Sequence, residues 1–156
     1  MLSSLQQQKF DYLADWLTTQ SGSQTQVLRN GEGPRIIETV EIDAQTRVEL
    51  ETFAVSYQRL YTRHYILQRD RLPEGKEQRY CVILHILGLT NPDSYMIYAV
   101  DDNGIYVFHH TKCDQPNEAL LDDYYRVRNV VTHLIVQLPR ILEDAMTACQ
   151  SETAQT

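Results

Sequence analysis

The N-terminal part of the chain has the periodicity of an amphipathic helix. Ser4 is placed to cap this helix, and Gln7 completes a Ser-x-x-Gln capping box. Residues 19–34 are mostly turn-forming, so we expect the helix to end before them. Its apolar stripe, at mostly three- and four-residue steps, consists of Leu5, Tyr12, Leu13, Trp16 and Leu17.

Three stretches in the middle of the chain have the apolar character of strands. Residues 36–42 (Ile-Ile-Glu-Thr-Val-Glu-Ile) predict the first strand. Residues 47–68 fit either a strand or one face of a helix, and their branched and aromatic side chains favour a strand. Residues 79–89 are almost continuously apolar, which predicts a central, buried strand.

A hairpin is predicted around Asn103-Gly104. These two residues tolerate positive φ, and they lie in a short polar turn between the apolar runs 94–100 and 104–109. Asn-Gly in such a position is the strongest short-range signal for a β-hairpin.

The C-terminal part predicts a long helix that begins near Asn117, a suitable N-cap. Pro139 is expected to break or kink it near Gln137–Arg140, and residues 151–156 are expected to form a flexible tail. The helix's apolar stripe comprises Leu120, Tyr124, Val127, Val131, Leu134, Leu138, Ile141 and Ala145.

Together these elements predict one α+β domain over residues 1–150. An N-terminal helix and a C-terminal helical segment would pack against an antiparallel sheet of about four or five strands.

Composition and charge narrow the functional classes. The chain has 156 residues, 42% of them hydrophobic, and a net charge of −7. Nucleic acids and anionic membranes attract basic surfaces, so we expect neither as a partner. No apolar run approaches the roughly 20 residues of a membrane span, and we expect no signal peptide because no basic segment precedes an apolar one near Met1.

The three cysteines, Cys81, Cys113 and Cys149, are far apart and odd in number. This pattern suits a reducing compartment with free thiols and indicates a cytoplasmic location. Cys81, within the predicted strand, and Cys149, near the end of the predicted helix, are interpreted as small hydrophobic residues.

Cys113 is the main candidate for chemistry. It lies in a polar stretch, residues 109–116, that we expect to be an exposed loop before the last helix. The neighbouring imidazoles of His109 and His110, together with Lys112 and the helix N-terminus, would lower the thiol pKa.

Three other interpretations of Cys113 remain open. Cys113 would be an exposed thiol without a role, or the nucleophile of a Cys-His hydrolase. In the third interpretation it would be a zinc ligand together with His133 and either His109 or His110. The remaining histidines offer hydrolase partners too, although His85, in an apolar run, is better explained as a core residue. No further cofactor is indicated.

The order of elements resembles that of the ubiquitin-conjugating-enzyme-like family of autophagy, over about residues 48–142. The family's tyrosine-containing strand is similar to the segment with Tyr57 and Tyr61, and its His-Pro-Cys-Asp motif is similar to His109 followed by Cys113-Asp114. The proline is missing, because His110-Thr111-Lys112 stands in its place. Either the loop is two residues longer around a working Cys113, which the following Asp114 favours, or the chain lacks the family's nucleophile.

This resemblance implies a specific reaction. Cys113 would accept a ubiquitin-like modifier (autophagy-related protein twelve) as a thioester from its activating enzyme (protein seven) and pass it to a lysine of an acceptor (protein five). Asn103, Thr111, the Tyr57 hydroxyl or loop N–H groups would stabilise the oxyanion, and His110 would tune Cys113 or act as a base. The alternative from another class is a non-catalytic binding, adaptor or chaperone-like domain of similar α+β fold, which would tolerate Cys113→Ala.

Overall fold

Helices and strands cover most of the chain. The computed structural model describes residues 2–20, 24–29, 33–55, 58–88 and 96–154. The helices are α1 (Ser4–Thr19), α2 (Lys76–Leu87) and α3 (Asn117–Ala154), with a 3-10 turn at Arg69–Arg71. The strands are β1 (Gln24–Leu28), β2 (Arg35–Glu41), β3 (Arg47–Val55), β4 (Arg59–Gln68), β5 (Ile97–Asp101) and β6 (Gly104–Lys112).

The strands form one antiparallel sheet in the order β1-β2-β3-β4-β6-β5. The first four strands follow one another as a meander, and the chain then crosses through α2 to the far edge. There β5 and β6 form the hairpin predicted at Asn103-Gly104, and β6 pairs with β4. The α+β prediction is therefore confirmed, with six strands among the described residues instead of four or five.

Helix α1 begins one residue earlier than the sequence indicated. Ser3, not Ser4, is the N-cap: its Oγ accepts from the Gln6 backbone N–H at 3.1 Å, and its own N–H donates to Gln6 Oε1 at 3.0 Å. The sequence offers two overlapping capping boxes, Ser3-x-x-Gln6 and Ser4-x-x-Gln7, and periodicity does not distinguish them.

Two predicted strands differ in the structure. Two strands, β3 and β4, lie within residues 47–68 and pair with each other, and Gln58, just before β4, has a φ of 54°. Residues 79–89 were wrongly predicted as a strand, because most of them belong to α2. The buried residues of α2, Val82 and Ile86, are four apart as on a helix face, whereas Leu84 is 69% exposed. A short apolar run does not distinguish the two structures by itself.

The core lies between α1, α3 and one face of the sheet, called here the inner face. Ile36, Leu50, Leu60 and Val107 point to this face, and each is at most 1% exposed. The predicted α1 and α3 stripes supply the opposing layer, including the buried Leu13, Leu17, Leu120, Tyr124, Val127 and Val131.

A buried carboxylate connects the sheet to α3. Glu38 on β2 is fully buried, and its Oε1 accepts a hydrogen bond from the Tyr124 hydroxyl at 2.8 Å. The Arg128 guanidinium lies 3.4 Å from the same oxygen. Burial raises the pKa of Tyr124 well above its usual value, so this phenol stays protonated as a donor. The charge of Glu38 is thereby compensated inside the core.

Helix α3 continues through Pro139, so the predicted break near Gln137–Arg140 is absent. Pro139 is exposed, and water can replace the helix hydrogen bond that proline removes. No helix in the described part of the chain combines the length and hydropathy needed to cross a bilayer.

Candidate functional site

Cys113 is buried rather than exposed. Residues 109–112, which the sequence indicated as a loop, continue β6, and Cys113 follows the strand with its side chain fully buried in the core. Its backbone N–H donates to the Gln58 carbonyl at 3.1 Å. Burial raises the pKa of the Cys113 thiol, and the nearby Lys9 charge lowers it by less. The predictions of a loop over residues 109–112, of an exposed Cys113 and of a lowered pKa were therefore wrong, whereas residues 113–116 are irregular as expected.

The sequence did not indicate which positive charge lowers the pKa of Cys113. In the structure this charge belongs to Lys9. Lys9 on α1 is 8% exposed, and its Nζ donates to the Gln115 carbonyl at 2.8 Å and to Asn117 Oδ1 at 2.7 Å. It thus connects α1 to the beginning of α3. Lys9 is more than 100 positions from Gln115 and Asn117 along the chain, and no short-range pattern in the sequence indicates this contact.

Two of the described candidate residues, His110 and Asn103, lie away from Cys113. His110 points to the outer face of the sheet, opposite the side of Cys113, because side chains alternate along β6. Asn103 precedes β6 while Cys113 follows it, so they lie roughly 30 Å apart at the usual strand rise. Thr111 shares the inner face with Cys113 and is 4% exposed. Tyr57 lies outside the described residues.

The zinc set considered from the sequence is not brought together either. His109 shares the inner face with Cys113, but the two are four strand positions apart, roughly 13 Å. His109 instead contacts Asp123 on α3, with Nε2 3.0 Å from Oδ2. His133 lies exposed on α3 and contacts Gln137.

Two cysteines expected to be free thiols form a disulfide. Cys81 on α2 and Cys149 on α3 are bonded across 68 residues of sequence, with Cα atoms 5.7 Å apart. The sequence placed Cys81 in a strand, which hid its proximity to α3. His85, predicted to be a core residue, is exposed on α2 one turn beyond Cys81.

The outer face of the sheet carries a continuous group of aromatic rings. The Tyr61 ring stacks on Phe108 at 4.8 Å and also contacts Phe53 at 5.2 Å and His110 at 4.8 Å. Tyr106 connects this group to Tyr65, with centroids 5.2 Å apart. These side chains are partly exposed, whereas Thr52, Thr62 and Val107 on the inner face are buried. We call this surface the aromatic face: Phe53, Tyr61, Tyr65, Tyr106, Phe108 and His110.

Charged residues differ between the two ends of the aromatic face. At one end, Arg63 lies over the Phe53 ring at 5.0 Å and its NH2 group is 3.3 Å from Glu51. At the other end, Arg59 and Lys112 are paired neighbours on β4 and β6. Neither forms an ion pair with the described residues. We call Arg59 and Lys112 the cationic end.

His110 lies between the rings and the cationic end. Burial, together with the charge of Arg59, lowers the pKa of His110. At neutral pH this side chain is therefore an uncharged ring that extends the aromatic face, not a third cation.

A cleft of about 720 Å³ opens where β3 and β4 separate. These strands pair from Val55 and Arg59 as far as Glu51 and Arg63, and β3 then pairs only with β2. Helix α3 contributes an apolar side to the cleft. The volume suits a small molecule, but the charges around the cleft have both signs and favour neither. They belong to Arg47, Arg63, Arg71, Glu49 and Glu51.

Comparison with known proteins assigns no family. No protein-family model matches the chain, and no curated protein or solved structure shows significant similarity to it. The resemblance to the conjugating enzymes of autophagy therefore stays a prediction.

Proposed function

We propose that this protein is a non-catalytic binding domain that docks an acidic peptide segment of a partner protein on its aromatic face. The observation that carries the proposal is the partly exposed, continuous set of rings on β3, β4 and β6. Aromatic side chains contribute most to protein interfaces when they form such a contiguous group.

The charge of the partner follows from the cationic end. The chain as a whole has a net charge of −7, yet Arg59 and Lys112 are next to each other beside the rings. Neither forms an ion pair with a carboxylate of the described residues. Two such cations favour carboxylates of the partner at this position, while the rings favour apolar side chains next to them. A short segment that alternates acidic and apolar residues satisfies both.

The binding of a defined probe tests the proposal. A labelled synthetic peptide that alternates glutamate with phenylalanine and leucine is titrated with the protein by fluorescence anisotropy. We expect Tyr61→Ala and Phe108→Ala each to weaken binding by about 30-fold, the loss typical of an interface hot spot. Tyr80→Ala is the matched control, because Tyr80 is an exposed aromatic residue (54%) on α2 and away from the aromatic face.

Charge variants separate this proposal from nonspecific apolar binding. Arg59→Glu combined with Lys112→Glu should abolish the preference for the acidic peptide over its lysine-substituted version. Equal binding of both peptides, or equal loss with Tyr80→Ala, would contradict the proposal. Circular dichroism confirms that each variant is folded.

The conjugating-enzyme hypothesis stays a separate prediction, together with protein seven, protein twelve and protein five as partners and a cytoplasmic location. Thioester formation needs a thiolate that meets its substrate, whereas Cys113 is fully buried and its pKa is raised. Incubation with ATP, the activating enzyme and the modifier, followed by non-reducing gels, tests it. A thiol-sensitive adduct on the wild type, replaced by a thiol-resistant one in Cys113→Ser and absent in Cys113→Ala, would establish the enzyme and overturn the non-catalytic assignment.

A further inference from the structure

Cys81, His85 and Cys149 form a group of metal-ligating side chains between α2 and α3. Their ligand atoms, two Sγ atoms and an imidazole nitrogen, all lie within 4.8 Å of one another. Cys81 and His85 are on one face of α2 because they are four residues apart, and Cys149 on α3 is next to them. It is the one group with this property among the residues that the structure describes.

The surroundings of the three side chains suit a metal that keeps one open position. Cys149 is buried, Cys81 is half-buried and His85 is exposed. The protein therefore encloses the two sulfurs, while the imidazole side stays open to water. Catalytic and exchangeable zinc sites have such an arrangement, with three protein ligands and a water molecule as the fourth.

In the structure the two sulfur atoms are joined as a disulfide, which withholds them from a metal. A dithiol reductant changes this: it transfers two electrons and two protons to the disulfide, leaving thiols on Cys81 and Cys149, and itself becomes a cyclic disulfide. A divalent metal then displaces the two thiol protons. The resulting pair of thiolates neutralises the charge of the metal.

We propose that the reduced protein binds Zn²⁺ through the thiolates of Cys81 and Cys149 and the imidazole of His85, so that disulfide and zinc are alternative links between α2 and α3. Tetrahedral zinc holds sulfur and nitrogen ligands roughly 3.3–3.8 Å apart, within the spacing of these three atoms. Two thiolates with one imidazole are a ligand set typical of zinc. The inference does not depend on the aromatic face or on the proposed binding function.

Cobalt substitution tests the site directly. The full chain is reduced with a phosphine under anaerobic conditions and titrated with Co²⁺, whose thiolate charge-transfer and tetrahedral d–d bands report on the ligands. We expect these bands in the reduced wild type, their loss when Zn²⁺ is added, and no bands in the oxidised protein. Cys113→Ser is the matched control and should bind cobalt as the wild type does.

Variants of the ligands identify the site. His85→Gln keeps both cysteines, so its oxidised form is a folded reference. We expect this variant to bind Co²⁺ at least roughly 10-fold more weakly, because even the loss of a residue that only orients a ligand has an effect of this size. Cys81→Ser should remove one of the two thiolates and about half of the charge-transfer intensity. Zn²⁺ should also raise the melting temperature of the reduced wild type but not of the oxidised protein. Absence of the bands in the reduced wild type, or affinity unchanged in His85→Gln, would overturn the proposal.

Discussion

The buried hydrogen bond between Tyr124 and Glu38 permits a quantitative test of how the core is held together. Tyr124→Phe removes only the hydroxyl that donates to Glu38 Oε1 at 2.8 Å. Glu38 is fully buried, so water cannot replace the lost donor. A hydrogen bond to a charged group contributes about 1.5–3 kcal/mol. We expect the free energy of unfolding to fall by this amount.

Tyr125→Phe is a matched control on the next position of α3. The Tyr125 hydroxyl accepts a hydrogen bond from Trp16 Nε1 at 3.0 Å, and it is only partly buried. A bond between neutral groups contributes about 0.5–1.5 kcal/mol, so this variant should lose less stability than Tyr124→Phe.

Urea unfolding followed by circular dichroism measures both changes. The slope of the free energy against urea should stay constant, which attributes the change to stability and not to the compactness of either state. For a domain of this size, the loss in Tyr124→Phe corresponds to a fall of about 3–12 °C in melting temperature. A loss below about 0.5 kcal/mol, or one equal to that of Tyr125→Phe, would refute the view that this hydroxyl compensates a buried charge.

Three further predictions concern the turn, a buried pair and the thiol. Gly104→Ala should lower the free energy of unfolding by about 2 kcal/mol or more, because a Cβ there would lie 2.2 Å from a backbone oxygen of β4. Gly33→Ala is the control, since Gly33 also has a positive φ but has open space where its Cβ would lie. Equal losses of stability in urea unfolding would contradict the clash at Gly104. Burial raises the pKa of Asp123 to about 6, so this group favours folding at pH below 4 and loses that contribution as pH rises through 6. Burial lowers the pKa of His109 to about 4, so its contribution is present above pH 6.5 and is lost as pH falls through 4. Each single variant is compared with the double variant. Asp123→Asn retains His109 and should gain stability as pH rises from 4 to 6.5, whereas His109→Gln retains Asp123 and should lose stability as pH rises from 4 to 6. Stability profiles that run parallel to that of the double variant would contradict these shifts. Iodoacetamide should label Cys113 of the native protein far more slowly than of the urea-unfolded protein, because the thiol is buried with a raised pKa; equal rates by mass spectrometry would contradict its burial.

The sequence alone determined the elements that are specified by a short-range pattern of residues. The α3 stripe was predicted from its spacing, and Leu120, Tyr124, Val127 and Val131 are buried as expected. Asn103-Gly104 specified its hairpin because the turn geometry depends on these residues themselves. The α+β class followed from such signals, and they did not require knowledge of contacts between distant segments.

Tertiary contacts decided the elements whose local preference is ambiguous. Residues 79–89 are apolar enough for a buried strand, and packing against α3 makes most of them helix α2. Residues 109–112 are polar enough for a loop, yet pairing with β4 extends β6 through them. In each case the free energy of packing or pairing between distant segments exceeds a local preference of less than about 1 kcal/mol per residue.

The candidate chemistry depended even more on the tertiary structure. The sequence identified Cys113, His110 and Asn103 as candidates from their types and neighbours. Whether side chains meet depends on strand direction and on the face to which each points, and β6 places His110 and Asn103 away from Cys113. Conversely, Cys81 and Cys149 meet only because α2 packs on α3. Such proximity between distant residues is a property of the fold, since no short-range pattern in the chain encodes it.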